Sequence, residues 1–180
     1  MRVVAGEARG RRLVAPKGFD TRPTSDRVRE AIFNMLTSMD AVDEAVVLDA
    51  FAGSGALGIE ALSRGASRAT FVERDRAALS IVRQNVETCG VGDRADVVAG
   101  DALSLLAAGR LAGPWDLALL DPPYAFDDWP AMLAGLDADV AVCESDRAIA
   151  MPVGWRLART KHYGGTVVTI CQSTRRRSAS

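Results

Sequence analysis

Apolar segments typical of strands alternate with amphipathic segments typical of helices from Val46 onwards, and this alternation constrains the fold more than any other feature of the chain. It predicts strands at Val46–Ala50, Ala69–Glu73, Asp96–Ala99, Leu117–Leu120 and Val140–Cys143. Helices are predicted at Ala56–Arg64, Arg76–Thr88, Ala102–Ala108 and about Asp128–Leu136. Such a chain forms a parallel sheet with helices on both faces. Trp155–Tyr163 and Thr166–Gln172, joined at Gly164-Gly165, predict a closing antiparallel hairpin. We therefore expect an α/β protein with a mostly parallel, Rossmann-like sheet.

The N-terminal residues lie outside this alternation. Short alternating segments at Arg2–Ala5 and Arg11–Ala15 predict a small β-hairpin arm, and Pro16 to Pro23 reads as a loop. A helix is predicted after Thr24 or Ser25 as N-cap. Its apolar face consists of Val28, Ala31, Ile32, Met35, Leu36 and Met39. With 180 residues and 48% hydrophobic residues, one domain is expected, with an arm at 1–23, a body at 24–173 and a flexible basic tail at 174–180.

A glycine-rich turn follows the first predicted strand. Gly53-Ser54-Gly55-Ala56-Leu57-Gly58 matches the pattern GxGxxG, which marks both dinucleotide sites and S-adenosylmethionine sites. In either case, glycines let the ligand approach the backbone near a helix N-terminus. The turn alone therefore leaves open which of the two cofactors is bound.

Acidic residues at three successive predicted strand ends favour S-adenosylmethionine. Asp49 suits the cationic amino group of the methionine part, Glu73 the ribose diol, and Asp101 the adenine amine. Glu73 alone would fit NAD as well, and each acid singly could be a helix N-cap. Together they line the carboxyl edge, where open α/β sheets bind ligands. The predicted cofactor site comprises Asp49, Phe51, Ala52, Gly53, Gly55, Glu73, Arg74, Asp101, Ala102 and Asp121.

The tetrapeptide Asp121-Pro122-Pro123-Tyr124 follows the apolar run Leu117–Leu120. Two prolines stiffen the turn because they fix φ and remove donors. The Asp121 carboxylate and the Pro122 carbonyl can accept the two N–H bonds of an aryl amine, while Tyr124 stacks on its ring. We predict that these three residues are catalytic in methylating an exocyclic amine of a nucleic-acid base. The motif alone does not distinguish adenine N6 from guanine N2, and a stiff loop that caps a strand is the structural alternative.

The charge is distributed unevenly along the chain. Residues 1–30 contain eight basic and four acidic residues, and residues 155–180 contain six basic residues and no acidic ones. Residues 31–154 contain eight basic and nineteen acidic residues. Basic ends around an acidic body indicate contact with a polyanion. Arg27 and Arg29 lie at the start of a predicted helix, where the dipole does not favour cations, so they serve a ligand or a solvated surface. The predicted RNA-binding residues are Arg9, Arg11, Arg12, Lys17, Arg22 and Arg27.

These features together resemble the RsmD family of small-subunit ribosomal RNA guanine-N2 methyltransferases. The similarity spans essentially the whole chain, from Arg2–Leu13 through the distinctive stretch Thr21–Asn34 to the glycine turn and Asp121–Tyr124. It implies a class I methyltransferase fold and S-adenosylmethionine as methyl donor. It also implies as target a guanine of 16S rRNA near the peptidyl-tRNA site, in the assembled or assembling 30S subunit.

Other classes of protein were weighed against this resemblance. A DNA amino-group methyltransferase shares the fold, although the chain has no long insertion for target recognition. C5 methylation is disfavoured because none of Cys89, Cys143 and Cys171 follows a proline. A dinucleotide-dependent oxidoreductase or a non-catalytic binding protein is the alternative of another class. The cysteine spacing and the single histidine indicate no metal site. The sequence has no run of 18 apolar residues, so no membrane span is expected. We expect a cytoplasmic monomer.

Overall fold

A mixed sheet of seven strands forms the centre of the protein in the computed structural model, which describes residues 1–16 and 26–175. The strands are β1 (Val46–Asp49), β2 (Arg68–Glu73), β3 (Ala95–Ala99), β4 (Trp115–Leu120), β5 (Ala138–Ser145), β6 (Trp155–Tyr163) and β7 (Thr166–Ser173). Their order is β3-β2-β1-β4-β5-β7-β6. The first five are parallel, and β7 pairs antiparallel with both β5 and β6. The predicted fold class is therefore confirmed.

Helices cover both faces of this sheet, because strand side chains alternate between two separate cores. The helices are α1 (Asp26–Thr37), α2 (Ala56–Ser63), α3 (Arg76–Cys89), α4 (Ala102–Ala107) and α5 (Trp129–Gly135), with one 3₁₀ turn at Gly92–Arg94. The first three pack on one face, and α4 and α5 on the other. No helix in the described part of the chain is long and apolar enough to cross a membrane.

Helix α3 shows how the local sequence sets these bounds. Asp75 precedes the helix and accepts a hydrogen bond from the Ala78 N–H at 2.8 Å, which satisfies one unpaired donor of the first turn. Gly90 ends the helix in the left-handed conformation (φ 67°), where glycine has no Cβ penalty. Leu79, Val82, Val86 and Cys89 are all buried and lie at helical spacing along one face.

The N-terminal arm is less regular than the predicted β-hairpin. A single antiparallel bridge, Arg2 to Arg12, replaces two paired strands. The segment instead packs on the helices: the Glu7 N–H donates to the Ser63 carbonyl at 2.8 Å. A Cβ on Gly6 would lie 1.6 Å from that same carbonyl oxygen, so only glycine allows this contact. The arm keeps cross-hairpin backbone bonds, from the Val3 N–H to the Arg11 carbonyl at 3.0 Å and from the Leu13 N–H to the Met1 carbonyl at 3.1 Å, and it adds the bond to α2.

A buried ion pair joins the arm, α1 and α2. Arg29 and Glu60 are both fully buried, and the Arg29 Nε donates to a Glu60 carboxylate oxygen at 3.4 Å. The same carboxylate accepts the N–H groups of Val4 and Ala5 at 2.8 and 3.0 Å. Arg29 also donates to the Arg2 carbonyl. Of the two alternatives predicted for Arg29, a ligand role or a solvated surface, the solvated surface is wrong, because distant partners neutralise its charge inside the protein.

Candidate active site

The glycine turn between β1 and α2 has the geometry that its sequence predicts. Gly53 and Gly55 both have positive φ, at 55° and 79°, and Gly55 caps α2. Gly58 allows close packing instead, because a Cβ there would lie 2.3 Å from the Phe71 ring on β2. The three glycines of the pattern are therefore required by two backbone turns and one helix–strand contact. The turn leaves the N-terminal end of α2 beside the carboxyl end of β1.

Asp49, the last residue of β1, is a buried acid at this turn. One carboxylate oxygen accepts the Gly58 N–H at 2.9 Å, and the other, Oδ1, has no hydrogen-bond partner among the described residues. Burial raises its pKa from 3.8 to about 7, and the charges of Asp121 and Glu73 act in the same direction. The N–H groups of Gly58 and Phe51 oppose this shift. An unpartnered buried carboxylate oxygen is suited to a cationic ligand group.

Glu73 lies at the end of the neighbouring strand and holds the glycine turn in place. Its Oε2 accepts the Gly53 N–H at 2.9 Å, and its Oε1 accepts the Asp75 N–H at 2.8 Å. A carboxylate offers about four lone-pair sites, so each oxygen can accept one further hydrogen bond. Glu73 thus has the capacity to bind two hydroxyl groups, as the sequence predicts for a ribose diol.

Asp101 is a helix N-cap, the alternative that the sequence left open for each strand-end acid. It caps α4, with Oδ1 accepting the Ser104 N–H at 2.9 Å and the Ser104 hydroxyl at 2.7 Å. The hydroxyl bond, then the backbone bond, lowers the pKa of this carboxyl. Asp101 still lines the same cavity as Glu73, Arg74 and Ala102. Its contact with an adenine amine stays a prediction.

The Asp121–Tyr124 segment begins directly after Leu120, the last residue of β4, which lies next to β1. It lines a cavity of about 1220 Å³ together with the glycine turn and Glu73. The Phe126 N–H donates to the Pro123 carbonyl at 2.8 Å and closes the turn. The Tyr124 hydroxyl lies 3.3 Å from the Thr166 hydroxyl at the start of β7. The structure therefore brings the predicted catalytic residues and most predicted cofactor residues into one space.

An aromatic cluster that the sequence analysis missed connects the two halves of the cavity. The Phe126 ring contacts Phe51 of the glycine turn edge-on, with centroids 5.5 Å apart, and contacts Trp129 at 5.1 Å. Arg147, just after β5, forms an ion pair with Asp127, the residue that follows Phe126 in the loop. The aromatic residue two positions after the motif was the available signal. This cluster fixes the loop after Tyr124 against the cofactor turn.

A second missed residue, Asn85 on α3, ties the arm to the glycine turn. Its side-chain amide donates to the carbonyls of Ser54 and Val14 at 2.8 and 2.9 Å. Its Oδ1 accepts the Val14 N–H at 2.9 Å. Asn85 is fully buried, so these three bonds are shielded from water. No sequence signal identifies it, since an asparagine within a helix is ordinarily a surface residue.

The predicted RNA-binding arginines of the arm do not converge on the cavity. Arg9 and Arg12 are exposed on the arm, and the Arg11 Nη1 donates to the Thr88 carbonyl at 2.5 Å, in the last turn of α3. That helix of 14 residues is about 20 Å long, so the arm tip and the cavity lie at its opposite ends. Arg27 is exposed and lines the cavity. Lys17 and Arg22 lie outside the described residues.

The chemistry of the donor set fits S-adenosylmethionine. The unpartnered Oδ1 of Asp49 suits an ammonium group, and the spare lone pairs of Glu73 suit a diol. The turn at Gly53 and Gly55 places no side chain between them. Within the described residues, no group of three or more His, Cys, Asp or Glu side chains could hold a metal ion.

Comparisons with known proteins identify relatives of the whole chain. A family model described as conserved hypothetical protein 95 matches residues 1–172. Ribosomal RNA small subunit methyltransferase D of Escherichia coli K12 is 44% identical over 182 residues, covering 96% of this chain and 89% of that protein. The protein of the same name from Haemophilus influenzae is 33% identical over 177 residues, covering 91% and 89%. The solved yhhF structure of Escherichia coli is 37% identical, with a TM-score of 0.83, and covers 96% and 97% of the two chains.

Fold, site and relatives together define an enzyme of the methyltransferase class, with the sheet architecture of the S-adenosylmethionine-dependent methyltransferases. Within that class, the chain belongs to the family of the small-subunit ribosomal RNA methyltransferase D proteins. The resemblance to the RsmD family is thus confirmed.

Proposed function

We propose that this protein transfers the methyl group of S-adenosylmethionine to the exocyclic N2 amine of a guanine in small-subunit ribosomal RNA, acting in the cytoplasm on the assembled or assembling 30S subunit. One observation carries the proposal: Asp121–Tyr124 shares a cavity with the glycine turn and Glu73 at neighbouring strand ends. The names of the relatives support ribosomal RNA as substrate.

Asp49 and Glu73 would hold the cofactor. Asp49 would bind its amino group with the unpartnered Oδ1, and Glu73 its ribose hydroxyls. When bound, S-adenosylmethionine supplies an electrophilic methyl group on a sulfonium. Asp49 is partly protonated near neutral pH, because its pKa is raised to about 7. A cationic ligand favours the ionised form, so cofactor binding is coupled to proton release from Asp49.

Asp121, Pro122 and Tyr124 would act on the guanine, splayed out of its RNA stem or loop. The Asp121 carboxylate and the Pro122 carbonyl accept the two N–H bonds of the amine, which draws its lone pair out of conjugation with the ring. Tyr124, 36% exposed, stacks on the base. Most of the rate gain comes from positioning, with electrostatic stabilisation of the charge that develops on the amine. The released proton passes to Asp121 or to water.

The test uses the purified protein with S-adenosylmethionine labelled in the methyl group. Acceptors are 30S subunits and free 16S rRNA from cells in which the gene has been deleted, with 50S subunits and genomic DNA as controls. Digestion and mass analysis should identify N2-methylguanosine in the 30S or 16S sample. Label in adenine, in DNA or in no acceptor would contradict the proposal. Calorimetry with S-adenosylhomocysteine and with NAD separates the two cofactor classes, and binding of NAD alone would exclude methyl transfer.

A further inference from the structure

The outer edge of the sheet carries a strip of basic residues that the predicted RNA-binding set does not include. Strand β6 lies at this edge and pairs only with β7 among the described strands. It presents Arg156, Arg159, Lys161 and His162 to solvent. The sequence has no Asp or Glu between Trp155 and Arg175. The edge strand is thus positively charged along its whole length.

Among the described residues, these charges have no acidic partner, whereas five of the ten arginines between residues 26 and 154 do, Arg29 among them. Arg64, Arg68, Arg94 and Arg147 each pair with a carboxylate. Within residues 1–16 and 26–175, no ion pair involves Arg156, Arg159 or Lys161. Positive charges without a partner on an otherwise acidic body are available to an anionic partner.

The strip begins at the candidate active site. Thr166, the first residue of β7, contacts the hydroxyl of Tyr124 and pairs with Tyr163, the last residue of β6. Lys161 and Arg159 lie two and four residues back along β6, roughly 7 and 13 Å from Tyr163 at about 3.3 Å per residue. Phosphates neighbouring a base that stacks on Tyr124 lie within that range. The arm tip, in contrast, lies at the far end of α3.

Arg159 and Lys161 also project to a common face. Their partners on β7 are Ile170 and Val168, which belong to the core beneath α1. Directly paired residues project to the same side of a sheet, so both cations lie on the α1 face. Arg27, exposed on the first turn of α1, lines the cavity on that face. Arg159, Lys161 and Arg27 therefore lie on the same face of the sheet.

We propose that β6, through Arg159 and Lys161 with Arg156 beyond them, is the surface that docks the phosphate backbone of the RNA substrate. This inference rests on the proposed function and deepens it by assigning the substrate contact. Phosphate contacts fix the position of the nucleic acid without reading its sequence. They hold the strand while the target base reaches Tyr124 and Asp121.

The test compares two double variants that each remove two positive charges. Arg159→Gln/Lys161→Gln alters the edge strand, and Arg9→Gln/Arg12→Gln is the matched control on the arm. We measure KM and kcat with 30S subunits from the deletion strain, and the salt dependence of binding to free 16S rRNA. The β6 variant should raise KM about ten- to hundredfold at 0.1 M salt and reduce the salt slope by roughly two units. S-adenosylhomocysteine affinity and kcat should stay near wild type, and the arm variant should change little.

Several results would overturn this assignment. An effect confined to the arm variant would move docking to the arm, and equal effects of both variants would indicate general charge attraction. Charged edge strands also prevent self-association. A β6 variant that only aggregates, with unchanged RNA affinity, would assign that role instead. A single Lys161→Glu reversal, which changes the net charge by the same two units at an exposed position, provides a second variant and should also weaken binding. The binding assay needs no methyl transfer, so failure of the proposed function is detected separately, by wild-type protein that binds rRNA without modifying it.

Discussion

Asp121 is the single residue on which the proposed chemistry depends most, since its carboxylate would accept a hydrogen bond from the reacting amine. Asp121→Ala should lower kcat at least about 10²-fold, as expected when a transition-state hydrogen-bond partner is lost. S-adenosylhomocysteine affinity should change little. Methyl transfer to 30S subunits and calorimetry measure the two quantities. Tyr124→Phe, which keeps the ring that would stack on the base and loses the hydroxyl contact with Thr166, is the matched control and should keep near-normal turnover. A well-folded Asp121→Ala protein with normal turnover would contradict the role.

Asp49 makes the stability of the free protein depend on pH. Its pKa is raised from 3.8 to about 7 in the folded state. Between these values the folded protein holds a proton that the unfolded chain has lost, so the free energy of unfolding falls as pH rises from about 4 through 7. The stabilising contribution is complete below pH 4 and lost above pH 7.

Asp49→Asn tests this linkage, because the amide stays neutral and can still accept the Gly58 N–H. Urea unfolding at pH 5, 6, 7 and 8 should show a weaker decline for the variant than for wild type, and a more stable variant at pH 8. Wild-type affinity for S-adenosylhomocysteine should rise with pH up to about 7, by at most about tenfold per unit. Parallel stability curves for the two proteins would show that Asp49 is already ionised.

The sequence predicted residues whose role depends on local pattern, and missed those whose role depends on distant partners. Asp49, Glu73 and Asp121 were found because strand ends can be located from apolar runs. Arg29 and Asn85 were not, because their burial depends on Glu60 and Val14, each more than 30 residues away in the chain. A side chain's own helix gives no indication that a loop from elsewhere will cover it.

Among the elements, the alternating strands and helices were predicted within about two residues at each end. β4 begins at Trp115, two residues earlier than predicted. The polar Asp116 interrupts the apolar pattern, but it belongs to the strand because its carboxylate accepts the Val46 N–H, the first of β1, at 2.7 Å. The N-terminal arm pairs where the hairpin was predicted, through the Arg2–Arg12 bridge and the bonds of Val3 to Arg11 and Leu13 to Met1, but it is too short and irregular to form two full strands.

Asn85 on helix α3 connects the arm to the glycine turn through hydrogen bonds with Val14 and Ser54. Asn85→Ala removes the three bonds to Val14 and Ser54, so the free energy of unfolding should fall by roughly 2 kcal/mol. S-adenosylhomocysteine binding should weaken several-fold, since the turn at Ser54 loses its anchor. Thr88→Ala, one turn further along, loses only a bond to the Gln84 carbonyl and should stay within about 0.5 kcal/mol of wild type. Urea titration and calorimetry measure both variants, and equal effects of the two would exclude a special role for Asn85.

In the whole molecule, different features lie at the two ends of the parallel strands. The carboxyl edge holds the strand-end acids, the glycine turn and the Asp121–Tyr124 segment. The opposite edge holds the docked arm tip and the end of β7 at Ser173, which lies near the start of β5. The candidate site therefore lies at the carboxyl ends of the parallel strands, and the arm tip lies towards their opposite ends.

The position of Met1 has a practical consequence for handling the protein. Met1 lines the cavity, and its carbonyl accepts the Leu13 N–H at 3.1 Å, which holds this first residue beside the site. An affinity tag fused before Met1 would therefore emerge at the mouth of the active site, whereas a tag after Ser180 would follow a strand that ends at the opposite edge. We expect the first fusion to raise KM for 30S subunits several-fold over the second, and to recover once a protease removes the tag. Purification handles should therefore be placed at the C-terminus.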